Sequence, residues 1–168
     1  MVTMTALEEE LSRLAGSVPD PELPVLTLEE LGVLRGVRVS DPGRVTVELT
    51  PTYTGCPAIE AMSADIERVL REHGVQDVSV VTVLSPAWST DDISAEGRRK
   101  LAEFGIAPPR PQGPPDSGTG PVPLTLAIRC PNCGSTDTEL LSRFSSTACK
   151  ALRRCTACRE PFDHFKEL

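Results

Sequence analysis

The sequence predicts two folded parts: an α+β domain with a small mixed sheet, and a separate C-terminal module held together by four cysteines. Three observations support this. Helical and strand-like periodicities alternate along residues 1–106, prolines are concentrated in residues 107–123, and two closely spaced pairs of cysteines occur within residues 124–168. These three ranges are the predicted first domain, linker and second domain.

The first predicted element is a helix that begins after Thr5. Thr5 and Glu8 form the T-x-x-E pattern of a capping box, in which each side chain bonds to the backbone of the other residue. Leu7, Leu11 and Leu14 follow at helical spacing and are predicted to form its buried stripe. Gly16 is expected to end this helix.

Two strands are predicted on either side of the turn SDPGR at residues 40–44. Val37 and Val39 precede the turn, and apolar residues alternate with polar ones over residues 44–50. Alternation with a period of two is typical of a strand that is buried on one face, so the pattern indicates a hairpin.

A second helix and a third strand follow the hairpin. Five apolar residues share one helical face, which His73 and Gly74 close: Ile59, Met62, Ile66, Val69 and Leu70. The run VSVVTVL at residues 78–84 is predicted to be a buried strand. Because a strand–helix–strand crossover is right-handed, we expect this strand to lie parallel to the one ending near Leu49.

A last helix is predicted after Ser94, which is expected to cap it. Four residues are expected on its buried face: Ile93, Gly97, Leu101 and Phe104. Trp88, the only tryptophan, is expected to be a partly buried anchor and not a stacking platform.

The segment between the two parts, residues 107–123, contains seven of the sixteen prolines of the chain. This composition indicates a semi-rigid to flexible linker. An ordered loop that packs against one domain is the alternative.

Composition and charge limit the function. No stretch approaches the roughly 20 apolar residues of a membrane span, and the N-terminus lacks the pattern of a signal peptide, so we expect a cytoplasmic protein. The formal net charge is −7, and residues 1–106 carry 18 acidic against 9 basic side chains. An acidic domain repels phosphate backbones, so any contact with nucleic acid would fall to the C-terminal module.

The C-terminal cysteines form two C-x-x-C pairs, CPNCG at residues 130–134 and CTAC at residues 155–158. Their separation is close to that of structural zinc sites, so four residues are predicted to bind one Zn²⁺: Cys130, Cys133, Cys155 and Cys158. Disulfides and a rubredoxin-like iron site are the alternatives, although the second pair lacks the proline and glycine usual in rubredoxin. Cys149 is expected to pack or to be a spare thiol, and His164 is not needed as a ligand.

The remaining cysteine lies in PTYTGCPA, residues 51–58, where the strand pattern changes to a helical one. Cys56 is expected at or near the N-cap of the helix that Pro57 begins. Backbone N–H groups and the helix dipole favour a thiolate there, which predicts a pKa below that of a free thiol. A buried cysteine that only packs is the alternative.

Three stretches of the first domain resemble one known family: DPELPVLTLEELGVLRGV (20–37), TPTYTGCPA (50–58) and SPAWSTDDIS (85–94). In these three stretches the chain is similar to the iron–sulfur assembly domain family, which includes bacterial SufT. The resemblance implies that the family's fold is present and that four residues form a cluster-handling site: Asp20, Glu22, Thr52 and Cys56. From the residues alone, Asp20 and Glu22 could equally shape a turn.

Within that family, PAWST, GRRKLAEFGIAPP (97–109) and FSSTACKALRRC (144–155) resemble the D subunits of bacterial phenylacetyl-CoA ring 1,2-epoxidases. The resemblance implies a non-catalytic accessory subunit that helps mature an iron–sulfur or iron centre in the reductase or oxygenase subunits. The first domain contains one cysteine, which is too few for a stable four-ligand cluster. Any iron–sulfur cluster would therefore be held only transiently, or by a homodimer, or with additional ligands from a partner protein.

A zinc-ribbon module for protein interaction or nucleic-acid binding is the alternative function. Six basic residues favour it: Arg143, Lys150, Arg153, Arg154, Arg159 and Lys166. No interleaved aromatic residues suggest base stacking, however. The sequence also lacks a phosphate loop, a nucleotide fingerprint and a hydrolase elbow, so we do not expect an enzyme.

Overall fold

The computed structural model describes residues 5–40, 43–110 and 127–167. It divides into two compact units, the first ending at Gly97 and the second running from Arg98 to Glu167. Most of the predicted linker, residues 111–123, lies outside the described residues. The domain boundaries derived from the sequence therefore stay predictions.

The first unit is a two-layer α+β fold. Its elements are α1 (Ala6–Gly16), α2 (Leu28–Leu31), β1 (Leu34–Ser40), β2 (Arg44–Leu49), α3 (Ala58–Glu72), β3 (Asp77–Thr82), a 3₁₀ turn (Thr90–Asp92) and the start of α4 (Ala95–Glu103). The sheet order is β1-β2-β3. Strands β1 and β2 are antiparallel and β2 and β3 are parallel, which confirms the predicted hairpin and crossover.

Helix α1 begins and ends where the sequence indicates. The Glu8 N–H donates to Thr5 Oγ1 (3.2 Å), and the Thr5 N–H donates to Glu8 Oε2 (2.8 Å), which completes the capping box. The predicted stripe is wrong at Leu7, which is 51% exposed. The buried face is instead centred on Leu11 and Ala15, further around the helix.

Strand β3 is not the buried strand that its apolar sequence predicts. It pairs only with β2 and lies at an edge of the sheet. Helix α1 packs on β1, α3 packs on β3, and the two helices contact each other, so both cover the same sheet face. Val78 is buried beneath them, whereas Val81 and Leu84 are exposed.

The capping of α4 is confirmed, but one predicted core residue is exposed. The Gly97 N–H donates to Ser94 Oγ (3.0 Å), and Ile93 and Leu101 are buried. Phe104 is 68% exposed because α4 ends at Glu103, so helical periodicity no longer sets its direction.

Helix α2 is a short element that the periodicity analysis missed. Thr27 and Glu30 form a second capping box, with the Thr27 N–H donating to Glu30 Oε2 at 3.0 Å. Gly32 ends the helix at φ 77°, and a Cβ there would lie 2.3 Å from the backbone oxygen of Asp92. Trp88 is buried and donates from Nε1 to the Leu31 carbonyl (2.9 Å), as expected for an anchor.

The second unit is a ribbon of four strands in the order β4-β7-β6-β5. These are β4 (Ile106–Ala107), β5 (Thr138–Ser142), β6 (Lys150–Cys155) and β7 (Pro161–Phe165). Strand β4 is parallel to β7, and the other pairs are antiparallel. A small core includes cysteines and consists of Ala107, Ile128, Cys130, Cys155 and Phe162.

None of the helices in the described ranges has the length and apolar character needed to cross a membrane.

Candidate functional site

The four predicted ligand cysteines come together in the second unit. Their sulfur atoms all lie within 4.8 Å of one another. Cys130 Sγ is 3.8 Å from Cys158 Sγ, and Cys133 Sγ is 3.5 Å from Cys155 Sγ. A zinc–sulfur bond of about 2.3 Å gives a tetrahedron with edges of about 3.8 Å, so one tetrahedral ion fits between the four sulfurs.

The two cysteine pairs lie in matching turns. In each, the N–H of the first cysteine donates to the carbonyl five residues later, at 2.8 Å for Cys130 and 3.0 Å for Cys155. Four residues after each of these cysteines the backbone is left-handed, at Gly134 (φ 78°) and Arg159 (φ 67°). The sequence shows glycine only in the first turn, so the equivalence of the turns could not be predicted.

The sulfurs influence one another's ionisation. The backbone N–H of Cys158 donates to Cys155 Sγ (3.5 Å) and is the main reason that the pKa of Cys155 falls to about 7. The Glu160 N–H lowers the pKa of Cys158, but burial and the three neighbouring sulfurs together raise it to about 12. A cation bound by the sulfurs favours their thiolate forms, so metal binding releases a proton from Cys158.

Two other candidate ligands lie outside this cluster. Cys149 is buried, with its sulfur 3.1 Å from Thr147 Oγ1, so it packs as expected. His164 is also buried, and burial is the main cause that lowers its pKa. Among the described residues, the group suited to a metal contains only the four cysteines.

The predicted basic face is smaller than its six residues indicate. Lys150 is buried and forms an ion pair with Asp163 (3.4 Å), and Arg154 forms an ion pair with Glu139. Arg153 donates to Thr138 on the neighbouring strand. At least half of the six basic side chains therefore stabilise the ribbon itself, which weakens the nucleic-acid alternative.

The second candidate site surrounds Cys56 in the first unit. Cys56 is 9% exposed and lies in the turn before α3, where its N–H donates to the Tyr53 carbonyl (3.2 Å). The Ala58 N–H and the Thr52 hydroxyl hydrogen-bond to its sulfur, and the charges of Glu22 and Asp20 also act on it. All three other residues that the family resemblance selected therefore influence the Cys56 thiol, Thr52 through its hydroxyl and Asp20 and Glu22 through their charges, and their role as a cluster-handling site stays a prediction.

The expected low pKa of Cys56 is wrong. Burial is the largest effect and raises its pKa. The Ala58 N–H and Thr52 hydroxyl lower it, but the nearby negative charges of Glu22 and Asp20 act in the same direction as burial. The N-cap is Pro57, so Cys56 lies one residue before the position from which a side chain caps a helix best.

Asp20 also shapes the turn that carries Glu22. Its carboxylate is buried and accepts hydrogen bonds at Oδ1 from the N–H groups of Glu22 (2.9 Å) and Leu23 (2.7 Å). The turn interpretation therefore holds for Asp20, and the same turn carries Glu22, whose charge acts on the Cys56 thiol.

A shallow cavity of about 150 Å³ adjoins the Cys56 turn. Its lining includes Thr52, Tyr53, Leu84 and Trp88. Sequence analysis did not select Tyr53 or Leu84, because the edge position of β3 that exposes Leu84 is seen only in the structure.

Comparisons with known proteins match both units. The family described as "Iron-sulfur cluster assembly protein" matches residues 8–84, and the "PaaD zinc beta ribbon domain" matches residues 114–166. The chain is 45% identical over 157 residues to an Escherichia coli strain K12 protein that is named as one of the D subunits of 1,2-phenylacetyl-CoA epoxidases. This match covers 94% of this chain and 91% of that protein.

Two further similarities concern shorter proteins. The Fe-S protein maturation auxiliary factor SufT from Staphylococcus aureus strain USA300 is 38% identical over 78 residues, covering 46% of this chain and 88% of that factor. The crystal structure of a domain of unknown function, DUF59, from Bacillus anthracis aligns with a TM-score of 0.53 and 28% identity. That alignment covers 57% of this chain and 92% of the domain.

Proposed function

Because the chain belongs to the family of D subunits of 1,2-phenylacetyl-CoA epoxidases, we propose that it assists the maturation of an iron–sulfur or iron centre in this enzyme's reductase or oxygenase subunits. In this proposal it is an accessory subunit that works in the cytoplasm and catalyses no step of ring oxidation. The observation that carries the proposal is the burial of Cys56 in the turn before α3, where the Thr52 hydroxyl and the charges of Glu22 and Asp20 act on its thiol.

The chemistry of Cys56 suits a brief contact with an iron-containing cargo. The first unit holds a single cysteine, which is too few for a stable four-ligand cluster. Its raised pKa keeps the thiol protonated near neutral pH, so an iron ion must displace a proton before it can bind the sulfur. The negative charge of Glu22 acts electrostatically on this thiol. Release of the cargo then restores the neutral thiol.

The ribbon has a structural part in this proposal. Cys130, Cys133, Cys155 and Cys158 would hold one Zn²⁺, which cross-links the two turns and leaves no open coordination position. The small core of the ribbon contains few large apolar side chains, so this cross-link supplies stability that burial alone does not.

A strain that lacks this protein provides the test. The reductase and oxygenase subunits are purified from it, and their iron, acid-labile sulfide and ring-epoxidation activity are measured. The strain is then complemented with the wild-type chain, with Cys56→Ser, or with Cys149→Ser as a control for loss of another buried cysteine outside the zinc cluster. Zinc content and circular dichroism confirm that each variant is folded.

We expect metal-deficient subunits from the deletion strain and from the Cys56→Ser strain, and normal metal content with wild type and Cys149→Ser. Fully metallated subunits with normal epoxidation in the deletion strain would contradict the maturation role.

A further inference from the structure

The ribbon exposes three large apolar side chains close together in the sequence and at one sheet edge. Leu140 and Leu141 are about half exposed and Phe144 is 64% exposed. Both leucines lie on β5, the last strand of the sheet order, and Phe144 follows it. With Arg143 and Lys166, these residues form what we call the β5 patch.

A β-bulge explains how two neighbouring leucines both reach the surface. Leu140 pairs with Arg153 and Ser142 pairs with Leu152, so Leu141 is an extra residue without a partner in the ladder. Successive side chains in a regular strand point to opposite faces, and a bulge interrupts that alternation. The sequence TELLS alone does not reveal this arrangement.

The patch is held by specific contacts. The Phe144 N–H donates to Ser142 Oγ (3.2 Å). Lys166 Nζ donates to the Arg143 carbonyl (3.0 Å) and lies 4.5 Å from the centre of the Phe144 ring. This cation–π contact fixes an aromatic ring that remains mostly exposed. An ordered, exposed apolar surface of this kind is typical of an interaction site.

The border of the patch is positively charged. Arg143 is exposed, and Lys166 places its ammonium group over Phe144. Other basic residues of the ribbon, such as Lys150 and Arg154, are already neutralised by carboxylates. The complementary surface is therefore an apolar pocket bordered by Asp or Glu side chains.

The lengths of the relatives indicate which kind of partner has this surface. The maturation factor from Staphylococcus aureus is matched over 88% of its length by only 46% of this chain, so little of that factor remains for a counterpart of the ribbon. The epoxidase relative from Escherichia coli is matched over 94% of this chain. The ribbon thus accompanies the epoxidase relative and not the shorter factor.

We propose that the β5 patch is the surface through which this chain docks onto another protein of the epoxidase, in an apolar pocket bordered by carboxylates. The inference rests on the proposed function, since it assigns the docking step to the ribbon. Handling of the iron cargo remains the task of Cys56, so docking and cargo handling can be tested separately.

Binding measurements with the full-length, zinc-loaded chain test the inference. The probes are the purified oxygenase subunits and the purified reductase of the same organism, titrated separately by calorimetry. The variants are Phe144→Ser, the pair Leu140→Ser with Leu141→Ser, and Arg143→Glu. Phe104→Ser and Leu7→Ser are matched controls, because these side chains are similarly exposed outside the patch.

We expect one of the probes to bind, and the apolar variants to raise its Kd at least about tenfold. Arg143→Glu should raise the Kd and reduce its dependence on salt, because it reverses a charge at the border. Both controls should stay within about twofold of wild type. Zinc content verifies folding, and if Phe144→Ser loses zinc, the exposed Arg143→Glu change decides.

Three results would overturn the inference. One is that neither probe binds, and another is that the patch variants bind as wild type does. The third is that the patch variants keep the binding of the epoxidase proteins and lose only self-association or the binding of a single-stranded oligonucleotide. Cys56→Ser should bind with the wild-type Kd. Failure of metal loading in that variant with intact docking separates the maturation step from the docking step.

Discussion

The Cys56 thiol shows how two local effects oppose each other at one residue. The Ala58 N–H and the Thr52 hydroxyl stabilise a thiolate, whereas burial and the charges of Glu22 and Asp20 favour the neutral thiol. The second group of effects is larger, because a buried anion loses hydration that two hydrogen bonds do not replace. Position at a helix start therefore does not by itself produce a reactive cysteine.

This balance predicts slow alkylation of Cys56. Its rate of labelling by iodoacetamide, followed by mass spectrometry, should rise with pH along a curve whose midpoint lies above that of a free thiol such as N-acetylcysteine. Glu22→Gln should shift the midpoint to lower pH, because it removes a negative charge that disfavours the thiolate. A midpoint at or below that of the free thiol would mean that Cys56 is activated after all.

Sequence reasoning selected the right neighbours of Cys56 but the wrong sign for its pKa. The motif resemblance identified Asp20, Glu22 and Thr52, and each of them acts on the ionisation of the Cys56 sulfur. The depth of burial depends on how the turn after β2 meets the segment that carries Asp20, more than 30 positions earlier in the sequence. Spacing along the chain carries no information about that contact.

At the scale of the elements, the helix ends and the pairing of the strands were predicted well, whereas the exposure of individual side chains was not. The capping box of α1 and the end of α3 at His73 and Gly74 involve residues only a few positions apart, and both are confirmed. The exposure of β3 depends on its place at the sheet edge, which a run of apolar residues does not reveal. Exposed Leu7 and Phe104 lie at or beyond helix ends, where periodicity is least informative.

The C-terminal end of α2 makes a second prediction. Gly32→Ala should lower the free energy of unfolding by about 3 kcal/mol or more, because the new methyl group would overlap the Asp92 carbonyl as well as strain a left-handed residue. Urea denaturation followed by circular dichroism measures this change.

Gly74→Ala is the matched control for Gly32→Ala. Gly74 is also left-handed, at φ 91°, but a Cβ there meets nothing within 4 Å. Gly74→Ala should therefore lower the free energy of unfolding by only about 1 kcal/mol. Equal losses in the two variants would mean that the contact with Asp92 contributes nothing.

At the scale of the whole molecule, two units with separate cores predict separate responses to metal removal. The isolated protein should contain about one zinc per chain. Cys155→Ser should abolish zinc binding and unfold the ribbon, because it removes one of four ligands and part of a small core. Zinc is measured by elemental analysis.

The first unit should survive this change. Its core holds no predicted ligand, so the Cys155→Ser variant should keep the helical circular dichroism signal and one thermal unfolding transition. Loss of both units on zinc removal would contradict independent folding. Iron in place of zinc, with the red absorption of thiolate-bound iron, would instead identify a rubredoxin-like centre.

The bulge at Leu141 also bears on how the chain behaves before it meets any other protein. A regular edge strand with exposed leucines is a template on which identical chains can stack into fibres. The extra residue interrupts the row of backbone hydrogen-bond donors and acceptors, so the β5 strands of two chains cannot pair along their full length. The same irregularity that turns both leucines outward thereby protects the unassembled protein from polymerising through them.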